Sequence, residues 1–340
     1  MTEADISEIK TLLSTPKTVV IVPHKNPDGD AMGSTLALYH YLIKKNQHPT
    51  VIAPNDYPDF LKWLPGDDTV LKFENNEEAC TAKVNEADLI FTLDFNALHR
   101  AGDDYGKVLE ASSATKLMID HHQQPDDYAT FVYSDVSMSS TCEMVFNFIE
   151  MLGDTDLIDA QIATCLYTGI MTDTGSFRFP STTSRTHQVV ANLIDKGADH
   201  AQIHNNIYDT NSYSRLQLLG RAMKNMKVIP ELRTAYITLS QEELDTFNFK
   251  KGDTEGFVNY GLSVSGVILA GIFIENEAEE IIKISLRSKG DFSVNEFARA
   301  HFNGGGHTNA AGGRSHAGLQ ETIDKFISIL PEYKSQLSPK

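Results

Sequence analysis

Residues 116–122 read Lys-Leu-Met-Ile-Asp-His-His, an apolar run that ends in one carboxylate and two imidazoles. The apolar part predicts a short buried strand, and polar residues directly after such a strand lie at the edge of a sheet. An aspartate there is often only a strand terminator, and paired histidines are often surface residues. The stretch therefore predicts a site at the edge of a sheet only if other strands of the chain end in the same way.

Two other apolar runs do so. Residues 88–93 are followed by Asp94, and residues 18–23 are followed by the turn HKNPDGD at 24–30. Ligands of open α/β sheets bind at the carboxyl ends of strands, where these polar residues would meet. Taken alone, the turn could be a surface turn in which Asp30 caps the next helix. Three such endings on one side of a sheet are much harder to attribute to chance.

The rest of the first 210 residues alternates short apolar runs with amphipathic stretches, which predicts a parallel sheet with crossover helices. Strands are expected at 18–23, 50–53, 88–93 and 116–119. Helices are expected at 31–45, 140–151, 159–172 and 183–196. Ser140 and Glu143 have the spacing of a capping box at the start of the second of these helices.

The remainder of the chain predicts a smaller domain of another class. Residues 199–226 look helical and would act as a connector. Strands at 233–239, 264–274 and 279–286 precede helices at 294–301 and 317–335, with a glycine-rich turn between these helices. Long strands that are adjacent in sequence favour antiparallel pairing. The expected organisation is an α/β domain at 1–210, a helical linker at 211–230 and an α+β domain at 231–340, with a cleft between the domains.

Composition limits the possible functions. A net charge of −17 argues against holding long or duplex nucleic acid, which requires a basic surface. An acidic protein can still act on an anionic substrate if bound cations reverse the local field. The acidic start MTEADISEIK does not predict export, and the weakly polar stretch 261–274 is too short to span a membrane. Three cysteines without metal-type spacing favour a reduced, cytoplasmic protein.

A fourth polar position completes a family pattern. Asp173 ends an apolar helical segment in the stretch MTDTGSF at 171–177, which alone would be only a helix stop. Together these motifs resemble the DHH phosphoesterases, named for residues 120–122. The stretch GGGHTNAAGG at 304–313 resembles their associated C-terminal domain. The family often has a glycine where Asn303 stands, and asparagine tolerates the left-handed backbone that such a turn needs.

The resemblance implies a centre with two divalent cations. One cation would be held by His24, Asp28 and Asp94, and the other by Asp30, Asp94, His121 and Asp173. His122 would be the catalytic residue that contacts the phosphoryl group or leaving group, and Asp120 would assist by orienting a histidine. The mixture of carboxylates and imidazoles favours Mn²⁺, with Mg²⁺ or Co²⁺ as substitutes.

Substrate binding is expected to involve the C-terminal domain. Arg287 is a candidate phosphate clamp, and the other expected substrate-binding residues are Ser288, Gly305, Gly306 and His307. The plainer interpretation is a solvated arginine and a tight turn. Within the family, the chain most resembles NrnA-type enzymes. This implies short single-stranded RNA or DNA oligonucleotides, or the nucleoside bisphosphate 3′-phosphoadenosine 5′-phosphate, as substrates.

Other functions remain open from the sequence. They are a pyrophosphatase resembling family II enzymes, a phosphodiesterase for the linear dinucleotides pApA or pGpG, a RecJ-like exonuclease and a non-catalytic nucleotide sensor. The oligomeric state also stays open, with a homodimer as one option. A sensor should have lost ligand-type residues, whereas all of them are present here.

Overall fold

The computed structural model describes residues 1–337, which form two compact units, one spanning Met1–Thr210 and one beginning at Asn211. The predicted fold class is confirmed, because the first unit contains a parallel sheet and the second a mixed sheet. No helix within residues 1–337 is long and apolar enough to cross a lipid bilayer.

The sheet of the first unit has six strands, all parallel, in the order β3-β2-β1-β4-β5-β6. The strands are β1 (Thr18–Pro23), β2 (His48–Ala53), β3 (Leu71–Lys72), β4 (Leu89–Leu93), β5 (Thr115–Asp120) and β6 (Phe131–Ser134). The three strands that end in the conspicuous polar residues, β1, β4 and β5, are therefore direct neighbours.

Helices cover both faces of this sheet. They are α1 (Glu3–Leu12), α2 (Gly29–Lys44), α3 (Glu77–Asn85), α4 (Asp103–Ala111), α5 (Thr141–Met151), α6 (Ala160–Asp173), α7 (Ser184–Asp195) and α8 (His200–Tyr208). Side chains of β1 alternate, with Val19 and Ile21 in one core and Val20 and Val22 in the other. Burial on both faces explains why the strands read as continuous apolar runs.

The expected capping box at the start of α5 is only half formed. Ser140 is the N-cap, and its side chain accepts a hydrogen bond from the Glu143 backbone N–H. The Glu143 carboxylate does not reach back to the cap. It accepts hydrogen bonds from the hydroxyls of Ser139 and Thr186 instead. This glutamate is almost fully buried, and Ser139 and the distant Thr186 have replaced the N-cap backbone as its partners.

The second unit contains a sheet in the order β11-β12-β10-β9-β8-β7. Its strands are β7 (Lys227–Ile229), β8 (Thr234–Leu239), β9 (Leu269–Asn276), β10 (Ile281–Ser288), β11 (Gly305–His307) and β12 (Ala310–Ser315). Its helices are α9 (Tyr213–Asn225), α10 (Gln241–Thr246), α11 (Phe257–Ser263), α12 (Val294–His301), α13 (Leu319–Ile329) and α14 (Lys334–Leu337). The predicted antiparallel pairing of the longest strands, β9 and β10, is confirmed.

Four sequence expectations differ from the structure of the second unit. The helix predicted at 317–335 is α13 alone up to Ile329, because a 3₁₀ turn with Pro331 separates it from α14. The predicted strand at 264–274 begins only at Leu269, because Gly266 adopts a left-handed backbone with φ of 81° that interrupts the run. The glycine-rich turn forms the hairpin of β11 and β12. The connector helix breaks at residues 209–212, and its second half, α9, buries Leu218 and Ala222 in the core of the second unit.

Candidate metal centre

The polar residues that follow β1, β4 and β5 meet at the carboxyl edge of the sheet. Asp94 lies at the middle of this group and is almost fully buried. Its Oδ2 is 3.5 Å from His24 Nε2, and its Oδ1 is 3.5 Å from His121 Nε2. The Asp94 backbone is left-handed, with φ of 66°, which is unusual for a residue with a side chain. Such strained positions are concentrated at functional sites.

The turn after β1 contributes two aspartates from the start of α2. Asp28 is the N-cap, and its Oδ1 accepts hydrogen bonds from the backbone N–H groups of Asp30 and Ala31 at 3.0 and 3.1 Å. Its other oxygen, Oδ2, is 3.9 Å from His24 Nε2. Asp30 lies in the first helical turn and is 1% exposed. The helix cap thus uses only Oδ1 of Asp28, and Oδ2 faces His24.

His121 joins the remaining carboxylates. Its Nε2 is 3.7 Å from Asp30 Oδ2 and 3.6 Å from Asp173 Oδ2, and Asp173 is the last residue of α6. All six predicted metal ligands are therefore brought together within the first unit. Donor atoms of His24, Asp28 and Asp94 lie within 4.8 Å of one another, and so do those of Asp30, Asp94 and His121.

His122 points its Nδ1 at Asp120, with a distance of 2.7 Å to Oδ1. Asp120 is fully buried, and its Oδ2 has no hydrogen-bond partner among the described residues. Asp94 lies nearby, with Oδ1 3.7 Å from His122 Nδ1, so Asp94, Asp120 and His122 form a third overlapping donor group. The geometry fits an aspartate that fixes the orientation of a histidine ring.

Close packing between α2 and α6 brings Asp30 and Asp173 to the same place. At Gly169 of α6, a Cβ atom would lie 2.9 Å from Asp30 Oδ1 and 3.0 Å from the Cα of Asp30. At Gly33 of α2, a Cβ atom would lie 2.6 Å from the carbonyl oxygen of Cys165. Only glycine permits this approach of the two helices without displacement of neighbouring atoms.

The crowded carboxylates and the neighbouring histidines of the site shift one another's pKa values. Burial raises the pKa of Asp30 well above its ordinary value, and the negative charges of Asp94 and Asp173 raise it further. Burial also acts to raise the pKa of Asp94. However, hydrogen bonds with His121 and His24 outweigh burial and hold that pKa well below its ordinary value. The carboxylates of this site thus compete for positive charge.

The histidines divide into two kinds. Burial acts to lower the pKa of His121, but Asp94 and Asp173 hold it well above its ordinary value. The pKa of His24 is likewise raised by Asp94 against burial. For His122, burial lowers the pKa in spite of the hydrogen bond with Asp120. Four carboxylates with two imidazoles form a donor set that fits divalent cations, which would compensate the crowded negative charge.

Two further residues contribute to this site and were not predicted from the sequence. The hydroxyl of Thr141 donates a hydrogen bond to Asp94 Oδ1 at 2.9 Å. The positive charge of Arg100 acts to lower the pKa of both His24 and His122, although at His24 the aspartates outweigh it. The Arg100 carbonyl accepts a hydrogen bond from the Lys25 backbone N–H at 2.7 Å. Nothing in the sequence marks either residue as a contributor to this site, so only the folded chain reveals its place.

The predicted substrate-binding residues lie together in the second unit. Strand register places Arg287 of β10 and His307 of β11 opposite the same residue of β12, Ala310. Gly305 and Gly306 precede His307 on β11, and the Gly306 N–H donates a hydrogen bond to Asn295 Oδ1 at 3.0 Å.

Two residues near this hairpin serve its architecture. Ser288 is 5% exposed, and its hydroxyl donates to the Phe292 carbonyl at 2.6 Å and accepts from Asn309 Nδ2 at 2.9 Å. The hydroxyl is therefore already used in holding the loop. Asn303, expected to tolerate a left-handed backbone, adopts φ of 46°.

Buried carboxylates and imidazoles at the ends of three neighbouring parallel strands define an α/β protein with a candidate metal centre. Residues 18–170 match the DHH family, N-terminal domain, and residues 234–336 match the DHHA1 domain. The chain therefore belongs to the DHH family, and the resemblance found in its motifs is confirmed.

Relatives match the chain over nearly its whole length. It is 30% identical to the probable bifunctional oligoribonuclease and PAP phosphatase NrnA of Streptococcus mutans, across 95% of this chain and 98% of that protein. It is 28% identical to the bifunctional oligoribonuclease and PAP phosphatase NrnA of Bacillus subtilis, across 90% and 92%. An exopolyphosphatase-related protein from Bacteroides fragilis has a similar crystal structure. Its TM-score is 0.93 at 41% identity, covering 99% of this chain and 98% of that one.

Proposed function

We propose that this chain is a metal-dependent phosphoesterase that hydrolyses very short oligoribonucleotides to mononucleotides and removes a phosphate from 3′-phosphoadenosine 5′-phosphate. The observation that carries the proposal is the assembly of five ligand-type side chains around a sixth, buried Asp94. The NrnA relatives, which match from end to end, support both substrates.

The two overlapping donor groups support a pair of cations. His24, Asp28 and Asp94 would hold one, and Asp30, Asp94, His121 and Asp173 would hold the other. When bound, such a pair activates water and stabilises the charge that develops in phosphoryl transfer. The donor types favour Mn²⁺, with Mg²⁺ or Co²⁺ as substitutes.

His122 would exchange a proton with the reacting group. Its Nδ1 faces Asp120 at 2.7 Å, so Asp120 holds the proton on that nitrogen and leaves Nε2 as the nitrogen that accepts or donates. Burial, which lowers the pKa of His122, favours the neutral ring that can accept a proton. Asp120 is then a positioning residue and His122 the catalytic one.

An anionic substrate also needs fixed positive charge and backbone donors. Arg100 supplies a cation near His24 and His122 in a chain whose net charge is −17. In the second unit, Arg287 and His307 both lie opposite Ala310 in the strand register, and Gly305 and Gly306 directly precede His307. Arginine and glycine backbone are suited to contact phosphate or a base. The free, buried cysteines Cys80, Cys142 and Cys165 fit a reducing cytoplasm.

The deciding experiment is a product-resolved assay of the purified chain with Mn²⁺. Substrates are 5′-labelled oligoribonucleotides from two to ten nucleotides, a fifty-nucleotide RNA, 3′-phosphoadenosine 5′-phosphate, pApA, pGpG and pyrophosphate. We expect mononucleotides from the shortest RNAs and release of phosphate from the bisphosphate. Equal rates on short and fifty-nucleotide RNA would contradict the length preference. Turnover of pyrophosphate alone would replace the proposal with a pyrophosphatase.

A further inference from the structure

We infer that Thr141 is a positioning residue whose hydroxyl fixes the orientation of Asp94, and that the first turn of α5 sets Asp94 and Asp30 in place together. The inference rests on the proposed function, because it assigns a role within the same centre. Thr141 carries no ligand-type group and lies in none of the donor groups.

Three hydrogen bonds run from this turn to the two aspartates. The Thr141 N–H donates to Asp30 Oδ2 at 2.6 Å, and the Cys142 N–H donates to Asp30 Oδ1 at 2.8 Å. The Thr141 hydroxyl donates to Asp94 Oδ1 at 2.9 Å. The first N–H groups of a helix have no partner within the helix, so they are available for a carboxylate. One turn of one helix thus contacts both aspartates.

The orientation of Asp94 matters because its two oxygens face different partners. Oδ2 is near His24 and Oδ1 is near His121, at 3.5 Å in each case. The terminal torsion of an aspartate has broad minima and does not itself select one orientation. The hydroxyl of Thr141 does select one, because it donates to Oδ1 from a fully buried position.

The start of α5 is itself held firmly. Ser140 caps the helix, and the buried carboxylate of Glu143 accepts hydrogen bonds from Ser139 and Thr186. Cys142 lies against Gly169 of α6, where any side chain would collide with its sulfur. The helix start therefore cannot shift without breaking several buried contacts, and its hydrogen bonds to Asp30 and Asp94 have a fixed origin.

Another buried threonine provides a matched control. Thr35 of α2 is also 0% exposed, but its hydroxyl donates only to main-chain carbonyls, those of Ala31 and Met32. Thr35→Val removes a buried hydroxyl in the same unit without touching the centre. Thr141→Val removes the hydroxyl and keeps both shape and backbone N–H. Thr141→Ser removes the methyl group and keeps the hydroxyl.

Mn²⁺ binding to the full chain is measured by calorimetric titration for each variant, with circular dichroism to verify folding. We expect Thr141→Val to weaken binding by about 10- to 100-fold, the usual loss when a partner of a metal ligand is removed. Thr141→Ser and Thr35→Val should bind like the unaltered chain. In an Asp94→Asn background, Thr141→Val should cause little further loss, because its effect passes through Asp94.

The outcomes separate this inference from the proposed function. If the unaltered chain binds no Mn²⁺, the proposed function fails. If it binds Mn²⁺ and cleaves dinucleotides but Thr141→Val binds Mn²⁺ equally well, only the role of Thr141 is overturned. A loss in Thr35→Val as large as that in Thr141→Val would also overturn it. If Thr141→Val does not fold, Thr141→Ala is titrated in its place under the same criteria.

Discussion

The candidate metal centre of the first unit and the glycine-rich hairpin of the second bring polar groups together in opposite ways. The centre gathers charged side chains from three strands and two helices, and most of them are buried. The hairpin of β11 and β12 consists largely of glycine and alanine, whose backbone groups can be approached closely, and all three residues of β11 are partly exposed. The first arrangement suits chemistry on a desolvated group, and the second suits reversible contact with a ligand.

Because the two regions differ in this way, changes in them should affect different kinetic quantities. Losses in the centre should reduce kcat or metal affinity, whereas losses at the hairpin should raise KM. Each of the following measurements tests that division.

The largest effect should come from Asp94→Asn. This aspartate faces both donor groups, so its loss should remove about 4 kcal/mol of transition-state stabilisation, or about 10³-fold in kcat/KM. The measurement is dinucleotide hydrolysis with Mn²⁺. The control is Asp135→Asn, since Asp135 also follows a strand of the same sheet but its side-chain Oδ1 accepts hydrogen bonds from the backbone N–H and hydroxyl of Ser137. Equal loss in both variants would argue against a special role for Asp94.

Next in size should be His122→Asn. Removal of a general acid–base group should lower kcat by about 10²-fold while Mn²⁺ binding persists. Steady-state kinetics and metal titration on the same sample separate the two quantities, and exposed His99 provides the control His99→Asn. Loss of a bound ion in His122→Asn would place His122 among the ligands instead.

Beside the hairpin, on β10, Arg287→Ala should raise KM by about 30-fold with little change in kcat, because a hydrogen bond to a charged group contributes about 2 kcal/mol. The control is Lys283→Ala, because Lys283 is an exposed cation four residues earlier on the same face of β10. A fall in kcat with KM unchanged would move Arg287 into the chemical step and remove the contrast between the regions.

The smallest effect should be a pH dependence confined to the centre. Raised pKa values of Asp30, His24 and His121 mean that these groups keep protons to higher pH in the metal-free protein. A cation must displace those protons, so Mn²⁺ affinity should rise with pH, by up to about tenfold between pH 7 and pH 8 for the displacement of one proton. Titrations at pH 6, 7 and 8 measure this, and a constant Kd would refute it.

Much of the first unit could be predicted because its signals are local. Apolar runs ending in Asp94 or in Asp120 report both a buried strand and a polar edge, and the sheet order then makes the ends neighbours. Strand β6 escaped prediction because it is short and only Phe131 in it is buried. The sharing of Asp94 between two donor groups was implied by family resemblance, and its role as a ligand stays a prediction until metal binding is measured.

The missed features depend on contacts between distant parts of the chain. Thr141 meets Asp94 only after α5 packs beside β4, and no spacing in the sequence encodes that contact. The partners of Glu143 were misassigned for the same reason, since Thr186 competes successfully with the local cap. In the second unit, Gly266 resembles an ordinary strand glycine until its backbone angle is known.

The contact between α2 and α6 through Gly33 and Gly169 has a consequence for which ions the centre accepts. The separation of these helices is set by backbone contact, so a side chain at Gly33 or Gly169 would push the helices apart and, with them, Asp30 and Asp173. Calcium requires bonds of about 2.3–2.6 Å and a pliable shell of ligands, whereas smaller ions accept shorter and stricter geometry. The two glycines would therefore help to set the spacing of Asp30 and Asp173, and with it the size of the ion that these aspartates could hold.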